Sequence, residues 1–210
     1  MTPDKEYNGR SKIRMYRADC MELMKSGKKW DLAIVDPPYG IDIGNGLGSG
    51  RHKFTGHKKW QMLAPSDDFW ELLNTISENK IIWGGNNFNL PICDNWIIWD
   101  KMNPNLSFGE AEMAWCSIKR KIRIFKYYSA QVPAGGKIHP TQKPVQLYKW
   151  LLTNYAKEGD TILDSHGGSM SIAIACWDLG FDLDICELDK DYFDAAVKRF
   201  ESHISQQVLF

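Results

Sequence analysis

Four residues, Asp36-Pro37-Pro38-Tyr39, constrain this chain more than any other stretch. They come directly after Trp30-Asp31-Leu32-Ala33-Ile34-Val35, a short apolar run that reads as a fully buried strand of a parallel sheet. Two consecutive prolines end a strand or a helix and stiffen the backbone beyond them. An acid and an aromatic ring are therefore expected on a rigid turn at the carboxyl end of a strand. In open α/β sheets that is the edge where ligands bind. A surface turn with a hydrogen-bonding Asp and a half-packed Tyr fits the tetrapeptide equally well, so the weight falls on the rest of the chain.

Residues 1–12 read as a loose tail. Ile13–Tyr16 is a strand candidate, and Met21–Ser26 a short helix that Gly27 ends. With residues 31–35 they form a right-handed βαβ unit and a partly parallel sheet. Asp19 lies just after the first strand on the same edge as Asp36, as a helix cap or as a ligand contact. A helix is expected over Phe69–Asn79, with Leu72, Leu73 and Ile76 on its buried stripe. Strands are expected at Lys80–Trp83, Trp96–Asp100 and Glu110–Cys116. Gly84 and Gly85 allow a close backbone approach at the same edge.

The second half repeats the logic. Pro144 opens a helix that continues through Tyr155. Thr161–Asp164 is a strand, Ser165-His166-Gly167-Gly168-Ser169 a glycine-rich turn, Met170–Leu179 a helix capped by Gly180, and Phe181–Cys186 a strand ending in Glu187. Tyr192–Glu201 is the last helix. A strand, a glycine turn, a helix and a strand ending in an acid form the Rossmann arrangement for a nucleoside-containing cofactor. Glu187 stands 19 residues beyond Gly168, a distance at which an acid takes both ribose hydroxyls. The turn lacks the third glycine of the dinucleotide fingerprint, which argues against a nicotinamide enzyme.

Charge enters where a polyanion is concerned. The 210 residues carry 26 Lys plus Arg and 26 Asp plus Glu, so any nucleic-acid binding must rest on local patches. Two are present. Arg51, Lys53, Lys58 and Lys59, with Trp60, lie in an aperiodic stretch whose first part is rich in glycine. Lys119, Arg120, Lys121, Arg123 and Lys126 crowd into eight positions. The first suits a phosphate backbone and a displaced base, or is a solvated loop. The second is a nucleic-acid face or a charged edge strand that resists aggregation. The five cysteines are odd in number and widely spaced, which suits reduced thiols in a cytoplasmic protein and argues against a zinc or other metal site. No secretion signal and no run of 18 apolar residues is visible.

Three motifs together carry a family resemblance. Asp36-Pro37-Pro38-Tyr39 succeeds a buried strand, His139-Pro140-Thr141-Gln142-Lys143-Pro144 precedes a helix, and Leu163-Asp164 leads to Gly168-Ser169. In this order the chain, over roughly residues 13–203, resembles the amino-methyltransferases of DNA in their permuted β class, and in size their small phage or prophage members. The resemblance implies an α/β, Rossmann-like S-adenosylmethionine-dependent methyltransferase fold. Its sheet would be mixed, mostly parallel and seven-stranded, with helices on both faces. It implies one domain over 1–210, with loop insertions at 40–62 and 101–138 as candidate DNA-recognition segments. It implies S-adenosyl-L-methionine as cofactor and double-stranded DNA as partner, and leaves open a homodimer and a cognate restriction enzyme.

Roles carry over by position. Asp36 and the Pro37 carbonyl would accept hydrogen bonds from the target amine, with Pro38 completing the turn and Tyr39 stacking on the flipped base. Asp164, Gly168 and Ser169 would lie along the methionine and ribose of the cofactor, and Glu187 would hold the ribose hydroxyls. Asp19 resembles the residue at the cofactor's adenine. Thr141, Gln142 and Lys143 resemble the segment closing over its methionine end. An Asp at the head of the tetrapeptide leans towards adenine N6 as target, with cytosine N4, RNA and a catalytically decayed binding paralogue as the competing readings. The sequence departs from the family's Asp-Pro-Phe-x-Gly-Ser-Gly at the cofactor turn, where His166 replaces an aromatic and Met170 a glycine.

Overall fold

A computed structural model describes residues 1–40, 64–103, 109–128 and 136–207. The organising strand is β3 (Trp30–Val35). It pairs in parallel with β4 (Ser77–Trp83) on one side and β8 (Thr161–Asp164) on the other. Leu32 and Ile34 enter one core, Ala33 and Val35 the other, which is why the run is apolar at every one of these positions.

Outward from β8 lie β9 (Asp182–Cys186), β2 (Lys12–Tyr16) and β1 (Lys5–Asn8). Outward from β4 lie β6 (Ala111–Cys116), β5 (Ile97–Asp100) and β7 (Arg123–Lys126). Among the described residues the sheet is thus nine-stranded, not seven-stranded. It is mixed: β1 is antiparallel to β2, and β6 to both β4 and β5.

One face carries α3 (Val145–Tyr155), α4 (Ser171–Leu179) and α5 (Lys190–Gln207). The other carries α1 (Cys20–Met24) and α2 (Asp67–Ile76). Full burial of an aliphatic side chain contributes about 1.5–3 kcal/mol. Leu147, Leu151, Ile172 and Phe200, all at 0 % exposure, place much of that stabilisation under α3, α4 and α5.

Several boundaries differ from the sequence reading. The tail is a strand, because the Tyr7 ring packs tilted against Phe200 at 5.0 Å and its hydroxyl donates to Glu201 Oε1 at 2.7 Å, contacts nearly 200 residues away. Helix α2 ends at Ile76, and its stripe is Phe69, Leu73 and Ile76, with Leu72 only half-buried. Helix α5 is longer than expected at both ends. Segment 101–138 is not one loop insertion: β6 and β7 lie inside it. Of segment 40–62 only Gly40 is described. No helix among the described residues is long and apolar enough to cross a membrane.

Candidate active site

Strands β2, β9, β8, β3 and β4 run parallel to one another, so their carboxyl ends share one edge. There the chain opens into a cavity of about 290 Å³. Asp36, Pro37, Pro38 and Tyr39 form one wall, directly after β3. The turn after β8 (His166, Gly168 and Ser169) forms another, with Glu187 at the end of β9. Asp19 reaches the cavity from the end of β2, and Thr141, Gln142 and Lys143 close it from above α3. The parallel sheet therefore brings segments more than 150 residues apart to one hollow.

Tyr39 donates its hydroxyl hydrogen to Asp36 Oδ1 at 2.7 Å, and Lys143 Nζ donates to Asp36 Oδ2 at 2.5 Å. The Lys143 ammonium also lies 3.1 Å from Glu112 Oε2 on β6 and 5.2 Å from the Trp83 ring centroid. Burial works against its charge, but Asp36 and Glu112 more than offset that, so its pKa is raised. Burial also raises the Tyr39 phenol, with Asp36 adding to the effect, so it stays a donor. Tyr39 sits against the bare backbone of Gly84, which has φ +65, and edge-on to Phe88 at 6.0 Å. The glycine pair after β4 thus meets the expected close approach, made to Tyr39 by Gly84 and to Trp115 by Gly85.

On the other side, Glu187 accepts the Gly168 N–H at Oε2 (2.7 Å) and the Asp189 N–H at Oε1 (2.8 Å). Gly167 packs so closely on Ile185 that a Cβ would lie 2.9 Å from its Cγ1. Arg199 of α5 donates to the Ser169 carbonyl and the Ser171 hydroxyl, anchoring the turn from below. Met170, at the family's glycine position, has φ +52. The left-handed conformation costs a non-glycine residue roughly 1–2 kcal/mol. Its side chain, 1 % exposed in the core, offsets that cost. His166 keeps a planar ring at the cavity, edge-on to Phe69 at 5.5 Å, with Nδ1 2.8 Å from Ser165 Oγ.

Three of the expected site residues have partners within the protein. Asp164 does not line the cavity: it is 2 % exposed, accepts the His166 N–H at 3.0 Å, and burial pushes its pKa up to about 8. It shapes the turn from underneath. The Lys143 ammonium goes to Asp36 and Glu112. Gln142 turns its Oε1 back to the Ile138 N–H at 3.1 Å, bracing the turn before α3. Asp19 caps α1 by accepting the Met21 N–H and also lines the cavity.

The basic patches fare differently. Residues 51–60, with Arg51, Lys53, Lys58, Lys59 and Trp60, lie outside the described residues. Strand β7 is parallel to β5 and β5 is antiparallel to β6, so Lys126 falls at the cavity edge and Lys119, Arg120 and Lys121 at the opposite edge. Arg120 lies 5.4 Å from the Tyr155 ring, and Arg123 lies 5.3 Å from Trp150 and bonds Asn154. The edge-strand reading suits β7, and the cluster is not one face beside the cavity.

Glu112, His139 and Tyr148 also line the cavity, although the sequence alone assigns them no role. Glu112 is visible there only as a polar residue on an alternating strand. His139 opens the 139–144 motif, which is the signal that could have found it. Its ring lies 3.5 Å from where a Cβ on Gly168 would stand, and burial lowers its pKa to about 4.

The sheet order and the two-sided cavity are those of a Rossmann-like α/β fold with permuted parts, the Asp36–Tyr39 turn preceding the glycine turn. Residues 98–198 match the N6_N4_Mtase family, described as DNA methylase. Across that segment the chain is similar to the DNA amino-methyltransferase family, the resemblance its motifs carry. It is 24 % identical to the type II methyltransferase M2.DpnII of Streptococcus pneumoniae, over 94 % of this chain and 93 % of that one. It is similar in fold to the M1.HpyAVI–SAM complex (TM-score 0.61, 22 % identity, 89 % of this chain and 99 % of that one). It is similar also to PvuII DNA methyltransferase, titled cytosine-N4-specific (TM-score 0.57, 14 % identity, 92 % and 90 % covered).

Proposed function

We propose that this chain transfers a methyl group from S-adenosylmethionine to the N6 amine of an adenine flipped out of double-stranded DNA. The observation that carries the reading is that Asp36 and the Gly168–Glu187 pair face the same cavity. The donor set fits the cofactor. A buried acid at the end of β9 suits ribose hydroxyls, Gly167 and Gly168 place the turn's backbone on the cavity wall, and Asp19 offers an acceptor to an adenine amine. S-adenosylmethionine supplies an activated methyl group on a sulfonium.

Everything else falls to the chain. The amine lone pair of adenine is delocalised into the ring. Acceptors at Asp36 and the Pro37 carbonyl favour a pyramidal nitrogen with a localised lone pair, an electrostatic effect that strengthens in the transition state. As the N–C bond forms, the methyl–sulfur bond breaks with its electron pair left on sulfur, the nitrogen becomes cationic and loses one N–H proton, and the accepting Asp36 oxygen is the base in place. Reaction needs an approach of about 3–3.5 Å, which a base stacked in a duplex cannot reach. Tyr39, held by Gly84 and Asp36, offers an aromatic surface that offsets part of the unstacking cost.

The test is transfer of labelled methyl to unmethylated DNA, with nucleoside analysis of the product. N6-methyladenine is expected. N4-methylcytosine would overturn the choice of base, and absence of transfer with cofactor still bound would overturn DNA as the substrate.

A further inference from the structure

Glu112 takes no direct part in methyl transfer through Asp36, Tyr39 and the cofactor wall. It sits on β6, beyond the carboxyl end of β4, and completes a line of alternating charge. Asp36 Oδ2 meets Lys143 Nζ at 2.5 Å, Lys143 meets Glu112 Oε2 at 3.1 Å, and Glu112 Oε1 meets Lys101 Nζ at 3.0 Å. The lysine side chains are 2 % and 8 % exposed, that of Glu112 26 %. Lys101 lies 5.7 Å from the Trp99 ring as Lys143 lies over Trp83. Two acids and two ammonium groups sum to zero, which is how charges this deeply placed are tolerated.

The same groups are faced from every side. Tyr39 and Glu112 lie near Asp36, as do His139, Tyr148, Asp164 and His166. Within this set Lys143 is the cation shared by two carboxylates. An ammonium has one charge and three N–H groups to distribute. Bonded to Asp36 alone in a poorly polarisable site, it would neutralise that carboxylate and weaken it as an acceptor. Glu112 draws on the same charge, and Lys101 occupies its other oxygen.

We propose that Glu112 is a positioning residue for methyl transfer, holding part of the Lys143 ammonium so that Asp36 keeps its strength as an acceptor for the target amine. The inference rests on the methyl-transfer reading and deepens it. It separates binding from chemistry, because the effect is realised at Asp36 only when the amine is being attacked.

The experiment compares Glu112→Gln and Glu112→Asp with the wild-type chain in steady-state methyl transfer, with calorimetric S-adenosylmethionine affinity and melting temperature measured on each. Glu112→Gln is expected to lower kcat tenfold or more while KM for DNA and cofactor affinity stay within twofold. Glu112→Asp, which keeps the charge on a shorter arm, is expected to recover most of the rate. A wild-type kcat in Glu112→Gln overturns the inference. So does a loss confined to KM, which would mean direct contact with DNA. Two variants equally slow, with melting temperature and cofactor affinity both reduced, also overturn it, since that is the signature of packing alone. Absence of transfer by the wild-type chain would overturn the parent reading, and this one with it.

Discussion

A Cβ on Gly84 would stand 2.1 Å from Cε1 of Tyr39, closer than any two such atoms can lie. The backbone after β4 is therefore the surface against which the tyrosine ring rests, and that ring is tied to Asp36 Oδ1. Gly84→Ala must turn Tyr39 away and break that bond, and at φ +65 the new residue is strained as well. We expect a loss of ~1–3 kcal/mol in stability. We also expect kcat at least tenfold lower, with cofactor affinity within twofold. Tyr39→Phe, which keeps the ring and loses only the hydroxyl, should lose less. A Gly84→Ala chain that transfers methyl at the wild-type rate would remove Tyr39 from the mechanism.

Glu187 is 5 % exposed and braced by two backbone N–H groups. Glu187→Gln removes the anionic acceptor that hydroxyl groups of a ribose would use. Calorimetry should show S-adenosylmethionine binding at least tenfold weaker, with the melting temperature of the free chain much less affected. Unchanged affinity would exclude the ribose role.

Burial lowers the pKa of both His139 and His166 from 6.5 to about 4. The unfolded chain then binds more protons below about pH 6.5, so stability falls as pH drops from there towards 4. Asp164 acts in the opposite sense. Its folded pKa of about 8 lies above the ordinary 3.8, so its contribution falls as pH rises between those values. Two histidines outweigh one aspartate on the acid side, and these groups together place the stability maximum near neutrality. At about pH 5 each histidine costs ~1–2 kcal/mol. His166→Phe should flatten the acid limb of melting temperature against pH and change little above pH 7. An unaltered acid limb would show that His166 is not titrating there.

Lys126 lies at the cavity edge of β7, and Lys119 and Lys121 at the other edge. If DNA approaches the cavity, Lys126→Ala should weaken it severalfold and reduce the salt slope of binding by about one ion. Replacing Lys119 and Lys121 together by Ala should leave affinity within twofold. The reverse result would put the DNA on the far edge and count against this docking direction.

The sequence announces what is local. Val35 to Tyr39 reads as a buried strand and a stiff turn, because prolines and apolar runs act on their neighbours. The Gly168–Glu187 spacing reads as a turn and an acid, because the crossover helix between two parallel strands has a narrow range of lengths. The motif order, taken together, makes the family legible and with it most of the cavity wall.

Other features depend on partners far along the chain. Lys5–Asn8 is a strand only because α5 offers Phe200 and Glu201, and nothing in four mostly polar residues encodes that. Asp164 reads in the sequence only as the acid that ends a strand, while burial and the His166 N–H decide that its carboxyl lies under the turn. Lys119 to Lys126 is one basic cluster in sequence and two opposite edges in space, because a strand of four residues spans the width of the sheet. The Asp36–Lys143–Glu112 line joins three segments that no spacing relates. A side chain's charge is written in the sequence, but the charge it must share is set by the fold, which alone brings the Asp36 carboxylate to 2.5 Å and the Glu112 carboxylate to 3.1 Å from the Lys143 ammonium.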